Sequence, residues 1–259
     1  MMKDTVDIII TIFICILRPL GAFLIIPIFS LGNFLSPLIR NAFTLAISLP
    51  IIHQNINITE VMPHEISSLS LFVLKELMIG FFIGLSFTII FWAIDSASQL
   101  IDTLRGSTIA SILNPAINDS SSVTGVFLYH FVNIIFIIHG GIEDILSTLY
   151  SSYQTLPISQ SIEINGQLIS FIYSLWNSFL KLLVSFSIPM IVGILLTDIA
   201  FGFLNKTAQQ LNVFTLSLPI KSLIAFFILI IVLHTYPSLV KEAIALNKNL
   251  ITLLLEKAI

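Results

Sequence analysis

Six apolar runs, near residues 8–30, 37–53, 69–94, 123–139, 168–188 and 214–236, leave this chain little choice of backbone. Each has roughly the 17 to 25 residues that carry an α-helix across a hydrocarbon core. Inside such a core no water satisfies a peptide group, so the backbone must bond to itself or to neighbouring protein. The expected fold class is all-α: a polytopic helical membrane protein with kinked helical hairpins. Composition agrees, because 56% hydrophobic and 10% charged residues leave too little polar surface for a soluble globule of 259 residues. The mean hydropathy of +1.03 says the same.

Prolines interrupt these runs. A seventh apolar segment, 190–206, follows the fifth across Pro189, which removes an internal hydrogen bond and is expected to kink or break the run from Leu168. Pro19, Pro27 and Pro219 add the same irregularity elsewhere. Together they favour helices that bend around something, tolerated where protein or water meets the freed backbone groups. The connectors, 55–65, 119–124 and 150–166, are too short for a separate extramembrane domain, so residues 1–259 are read as one membrane-embedded domain. Near 238–257, Leu239, Ala243, Leu246, Leu250 and Leu253 recur at spacings of four and three, the mark of an amphipathic helix that lies on a membrane or docks a partner.

Several function classes fall away. A net charge of -3 gives no basic field for nucleic acid. Cys15 is the single cysteine, so neither an intramolecular disulfide nor a cysteine metal site is available. His53, His64, His130, His139 and His234 form no H-E-x-x-H motif and no i, i+4 pair, and no nucleophile elbow or phosphate loop occurs. No catalytic residue, metal site or cofactor is expected, and the chain does not read as an enzyme. The N-terminus carries Asp4 and Asp7 ahead of its apolar run and lacks a small-residue cleavage site, so the first segment is expected to stay as a membrane helix. Lys3, Arg40, Arg105, Lys206 and Lys241 are scattered, which leaves orientation open.

What remains informative is polarity in the wrong place. Asp198 lies within an apolar stretch, where an ionised carboxylate costs about 2.5 to 3.5 kcal/mol on insertion scales and therefore faces protein or water. Gly80 and Gly84 form a G-x-x-x-G that lets another helix approach closely. Asp95, Gln99 and Asp102 share one helix face, with Arg105 three residues beyond in ion-pairing reach. A solvated helix end accounts for this stripe as well as a pore wall does. After it come Gly106, Ser107, Thr108, Ile109, Ala110, Ser111, Ile112, Leu113, Asn114 and Pro115, small and apolar residues framed by a glycine and a helix-stopping Asn-Pro. Such a segment, within a re-entrant loop of about 106–122, is able to seal a cavity, since hydrophobic constrictions gate by excluding water.

At these residues the chain resembles a known family. The run 104–111 with Asn114-Pro115, His139-Gly140-Gly141 with Ser152-Tyr153 and Leu156-Pro157, and Asp198, Asn205, Gln210-Leu211-Asn212-Val213-Phe214 and Leu218-Pro219-Ile220-Lys221-Ser222 are similar to the T component of the type III secretion export apparatus, the FliR/YscT/SpaR family. The likeness keeps motif order over nearly the whole chain, and Leu211-Asn212-Val213-Phe214 with Pro219-Ile220-Lys221-Ser222 looks more like the injectisome branch than the flagellar one. Gln209 departs from it, standing where many members carry proline.

The resemblance implies a multi-pass protein of the bacterial inner membrane at the base of a secretion system. It would be a conduit subunit joining R and S components in a helical hetero-oligomeric export gate, the entrance for secreted proteins. Implied partners are also the V export-gate and U switch components, needle or inner-rod proteins, and substrates in transit. On this reading residues 106–115 are the pore plug, and Asp95, Gln99, Asp102 and Arg105 its pore-side stripe. Asp198, Asn205, Gln210, Leu211, Asn212, Phe214, Pro219 and Lys221 serve assembly. A small multi-pass secondary transporter is the alternative, since it too places carboxylates and broken helices at mid-membrane, but no symmetric pair of interruptions is visible.

Overall fold

The computed structural model describes residues 2–30, 37–54, 66–107, 123–158, 166–207 and 213–257. Nine α-helices occur among them: α1 (Met2–Ile25), α2 (Pro27–Ser30), α3 (Pro37–Gln54), α4 (Ile66–Arg105), α5 (Val123–Ile138), α6 (Gly141–Thr155), α7 (Gly166–Thr207), α8 (Val213–Val232) and α9 (Tyr236–Lys257), with a 3-10 turn over Leu233–Thr235. The chain is all-α, and Ser67–Arg105, Gly166–Thr207 and Thr215–Glu256 are long and apolar enough to cross a membrane. Thr124–Ile138 and Gly141–Thr155, bent by 61° at His139-Gly140, make a fourth when counted as one broken span. Gly140 has φ +77°, the left-handed conformation that glycine adopts without a Cβ clash.

Three sequence expectations change here. Pro189 does not break the fifth run, since α7 continues through it for 42 residues. A partner meets the disturbed turn: the Tyr236 hydroxyl donates to the Phe186 carbonyl at 3.1 Å. The sixth run does not stop near 236 but continues through the 3-10 turn into α9 as one 42-residue candidate span. The first run, by contrast, is divided, because Ile26 falls between α1 and Pro27, and a residue before proline is pushed out of the α region. The number of long spans is therefore three or four, with Ile9–Ile25 and Pro37–Ile52 as shorter apolar helices.

Two compact units result, residues 1–89, 137–176 and 244–259 in the first and 90–136 and 177–243 in the second. In the first, α1 and α4 meet backbone to backbone. A Cβ on Gly21 would lie 2.5 Å from the Leu77 carbonyl oxygen, one on Gly84 2.5 Å from that of Ala22, and one on Gly80 inside 3.0 Å of that of Arg18. The G-x-x-x-G thus receives α1. Helix α6 joins them through Tyr150 and Tyr153, which pack with Phe72 of α4 against Ile14 and Cys15 of α1, Ile51 of α3 and Ile158. Asn247 of α9 donates to the Ser86 carbonyl at 2.9 Å.

In the second unit aromatic rings do the corresponding work. Phe91 and Phe136 have centroids 5.1 Å apart, Phe186 and Tyr236 4.2 Å apart. Ile224 and Ile228 of α8 seat over Gly193 of α7. Along α9, which is divided between the two units after Ala243, Tyr236, Val240, Ala243, Ile244, Asn247, Ile251 and Leu255 are buried, whereas Leu246 and Leu253 of the stripe read from the sequence are exposed. The face that packs within the chain is thus the neighbouring one, and it includes an asparagine.

Candidate functional site

Two groups of polar side chains stand out against this apolar framework, one in each unit. The first centres on Arg18, whose side chain is completely buried in α1. Its Nε pairs with Glu76 Oε2 of α4, and its Nη2 donates to Glu76 Oε1 at 3.3 Å. Nη1 donates to the Ser152 carbonyl at 2.8 Å, Nη2 to the Leu156 carbonyl at 2.7 Å. The guanidinium carbon lies 4.3 Å from the Tyr153 ring centroid. Lys75, next to Glu76, places Nζ 3.0 Å from Glu76 Oε1 and donates to the Ile158 carbonyl at 2.7 Å.

This arrangement follows from the chemistry of the parts. A buried charge is tolerable only when paired and fully hydrogen-bonded. Arg18 sits where α1 presses on Gly80, one turn beyond Glu76, so a planar fork spans the two helices in bidentate fashion. At the end of α6 the Ser152 carbonyl accepts the Leu156 N–H at 2.9 Å and still has a second lone pair, and cations are favoured at that end of the helix dipole. Arg18 and Lys75 supply both donors and charge there. The sequence reading passed over Arg18, Lys75 and Glu76, although charge inside an apolar run was the signal that exposed Asp198.

The second group contains most of the residues singled out from the sequence. The stripe at the end of α4 divides in two. Asp95 and Gln99 are exposed, and Gln99 Nε2 donates to Asp95 Oδ2 at 2.9 Å. Asp102 and Arg105 are buried and form an ion pair with Nε 2.7 Å from Oδ1. That contact is not an aligned hydrogen bond, and neither Asp102 oxygen has a hydrogen-bond donor among the described residues. The Arg105 guanidinium lies 5.0 Å from the Phe226 ring centroid. Gly106, with φ +84°, ends α4 by donating its N–H to the Thr103 carbonyl at 3.1 Å, the left-handed cap that glycine favours. Ser107 donates to the Asp102 carbonyl at 2.9 Å.

Of the plug, Gly106 and Ser107 are therefore placed, while Thr108, Ile109, Ala110, Ser111, Ile112, Leu113, Asn114 and Pro115 lie outside the described residues, as does most of the 106–122 loop. Gln210, Leu211 and Asn212 lie outside them as well. Asp198 of α7 and Lys221 of α8 are brought together as an ion pair, with Lys221 Nζ on Asp198 Oδ1. Asn205 is exposed near the end of α7, Pro219 is exposed within α8, and Phe214 is placed only as backbone at the start of α8. No group of three or more histidine, cysteine, aspartate or glutamate side chains suited to a metal occurs among the described residues. Chemically, the two groups neutralise charge in place and fix helices to one another.

Comparison with known proteins gives these features a context. The profile described as bacterial export proteins, family 1, matches residues 9–246. The secretion system apparatus protein SsaT of Salmonella typhimurium is 39% identical over 86% of this chain and 88% of its own length. The Yop proteins translocation protein T of Yersinia pestis is 30% identical over 92% of this chain and 91% of its own. The flagellar biosynthetic protein FliR of Bacillus subtilis is 26% identical over 71% and 73%. The chain is thus closer to these secretion-apparatus proteins than to this flagellar one.

Proposed function

The chain belongs to the bacterial export proteins, family 1, and on that footing we propose that it is a structural subunit of a type III secretion export apparatus in the bacterial inner membrane. It works without catalysis, as part of the conduit that secreted proteins enter. R and S components share that conduit, and the V and U components and the needle or inner rod join the same apparatus.

One observation carries the structural side of this reading. Gly166–Thr207 and Thr215–Glu256 have 42 residues each, which at 1.5 Å per residue is about 60 Å, twice the roughly 30 Å of a hydrocarbon core. Yet only 33% and 17% of their most apolar windows are buried within the chain, against 67% for Ser67–Arg105. On α7 the exposed residues include Ile169, Trp176, Leu180, Val184, Ile188 and Leu195. A bilayer covers about half of such a length, and neighbouring protein subunits cover the remainder, as an oligomeric conduit requires. The half-exposed Asp198 carboxylate, with Asn205, Gln210, Leu211, Asn212, Phe214, Pro219 and Lys221, belongs to this assembly surface.

Within the conduit, Gly106 to Pro115 form the plug, and Ile109, Ile112 and Leu113 make its dry seal. The support is the abrupt glycine cap on α4, which releases the chain beside the buried Asp102–Arg105 pair. Deleting residues 108–113 is expected to give assembled complexes a standing leak to small ions in planar-bilayer recordings. Conductance equal to that of the intact complex would remove the plug from this account.

A further inference from the structure

Helix α1 contains Pro19, and proline has no N–H to give to the carbonyl four residues before it. That carbonyl belongs to Cys15. In a membrane segment such a group needs a donor from elsewhere, and the Tyr153 hydroxyl of α6 donates to it at 3.0 Å. We propose that Tyr153 supplies the hydrogen bond that Pro19 withdraws from α1, so that the proline opening and the docking of α6 are one interdependent element.

The neighbourhood supports this assignment. The Tyr153 ring is held under the Arg18 guanidinium, and Arg18 also grips the last turn of α6 through the Ser152 and Leu156 carbonyls. The ring is therefore fixed in a position from which its hydroxyl reaches one acceptor. The device recurs. The Tyr150 hydroxyl donates to the Ile47 carbonyl at 3.2 Å, in the turn preceding Pro50 of α3. The Tyr236 hydroxyl donates to the Phe186 carbonyl at 3.1 Å, in the turn preceding Pro189 of α7. Three of the five tyrosines in the chain are spent on proline turns of other helices. At Pro19 the acceptor is the very carbonyl that loses its partner, so the proposal is tested there.

Cys15 is the only cysteine, so cysteine carrying an isotope-labelled carbonyl marks this one acceptor in the full-length chain. Infrared spectra of the protein in detergent are expected to show the labelled amide I band moving to higher wavenumber in Tyr153→Phe, as the hydrogen bond is lost. In Pro19→Ala the restored N–H bonds Cys15 within α1, and adding Tyr153→Phe is expected to leave the band in place. The folding equilibrium in mixed micelles follows: Tyr153→Phe lowers it by about threefold or more when Pro19 is present, as intramembrane hydrogen bonds of about 0.6 to 1.7 kcal/mol imply, and has little effect in the Pro19→Ala background. A band indifferent to Tyr153→Phe, or an equal shift in both backgrounds, overturns the proposal. Should Tyr153→Phe fail to fold, folding restored by Pro19→Ala supports it, and failure in both backgrounds refutes it.

Discussion

Arg18→Leu is expected to remove nearly all folded chain from the membrane, while the double change Arg18→Met with Glu76→Leu recovers much of it. Both side chains of the pair are fully buried. Taking Arg18 away leaves a carboxylate in apolar surroundings with Lys75 as its remaining ionic partner at 3.0 Å, and removes the guanidinium donors from the Ser152 and Leu156 carbonyls, of which Ser152 keeps the Leu156 N–H. Breaking one side of a buried pair costs about 3 to 5 kcal/mol, a large part of the roughly 5 to 15 kcal/mol that keeps a protein folded. Replacing both sides with apolar groups removes the unpaired charge, and such replacements are often close to neutral. Arg18→Lys falls between, because an ammonium keeps the charge but loses the fork that meets Glu76 twice and the plane that stacks on Tyr153. Size-exclusion profiles of the detergent-extracted variants give the order directly. Equal yields for Arg18→Leu and the double variant would mean that the charge balance is not what matters.

The second large effect is expected from the smallest substitution. Gly80→Ala adds one methyl group, which would meet the Arg18 backbone of α1 inside 3.0 Å. Backbone cannot swing aside as a flexible side chain does, so α1 must move off α4. That movement draws Arg18 from Glu76 and compounds the roughly 1 to 3 kcal/mol usual for overpacking with partial loss of the ion pair. Gly202→Ala supplies the control, since nothing lies within 4 Å of the Cβ it would add. There the gain in helix propensity, about 1 kcal/mol, should leave stability unchanged or raised. Thermal unfolding in one detergent distinguishes the two, and a Gly80→Ala protein as stable as its parent would contradict the close α1–α4 contact.

The places where sequence and structure part company share a physical cause. The apolar runs announce helices because membrane helices must satisfy their own backbone, and α3 and α4 start close to where the runs begin. The G-x-x-x-G declares a close approach, though not that α1 makes it. Asp198 and Lys221 were both conspicuous, and the structure pairs them. Pro189 leaves α7 unbroken, and in the turn before it the Phe186 carbonyl accepts from Tyr236 across 50 residues of sequence, a partner of which local pattern holds no trace. Arg18 and Glu76 were visible in principle as charges in apolar runs, but 58 residues separate them. In α9 the leucine stripe drew attention from the adjoining face, which is apolar except for Asn247. A polar residue satisfied by the Ser86 carbonyl reads as surface until its acceptor is known.

A subunit of a hetero-oligomeric export conduit, as proposed for this chain, must co-assemble with its neighbours in the membrane. Native mass spectrometry of the protein, affinity-purified in mild detergent from cells that also produce the neighbouring R and S components, reads that assembly out. One stable hetero-oligomer containing all three chains is the expected result. A chain that runs alone or only with copies of itself, while R and S assemble without it, is no subunit of their conduit.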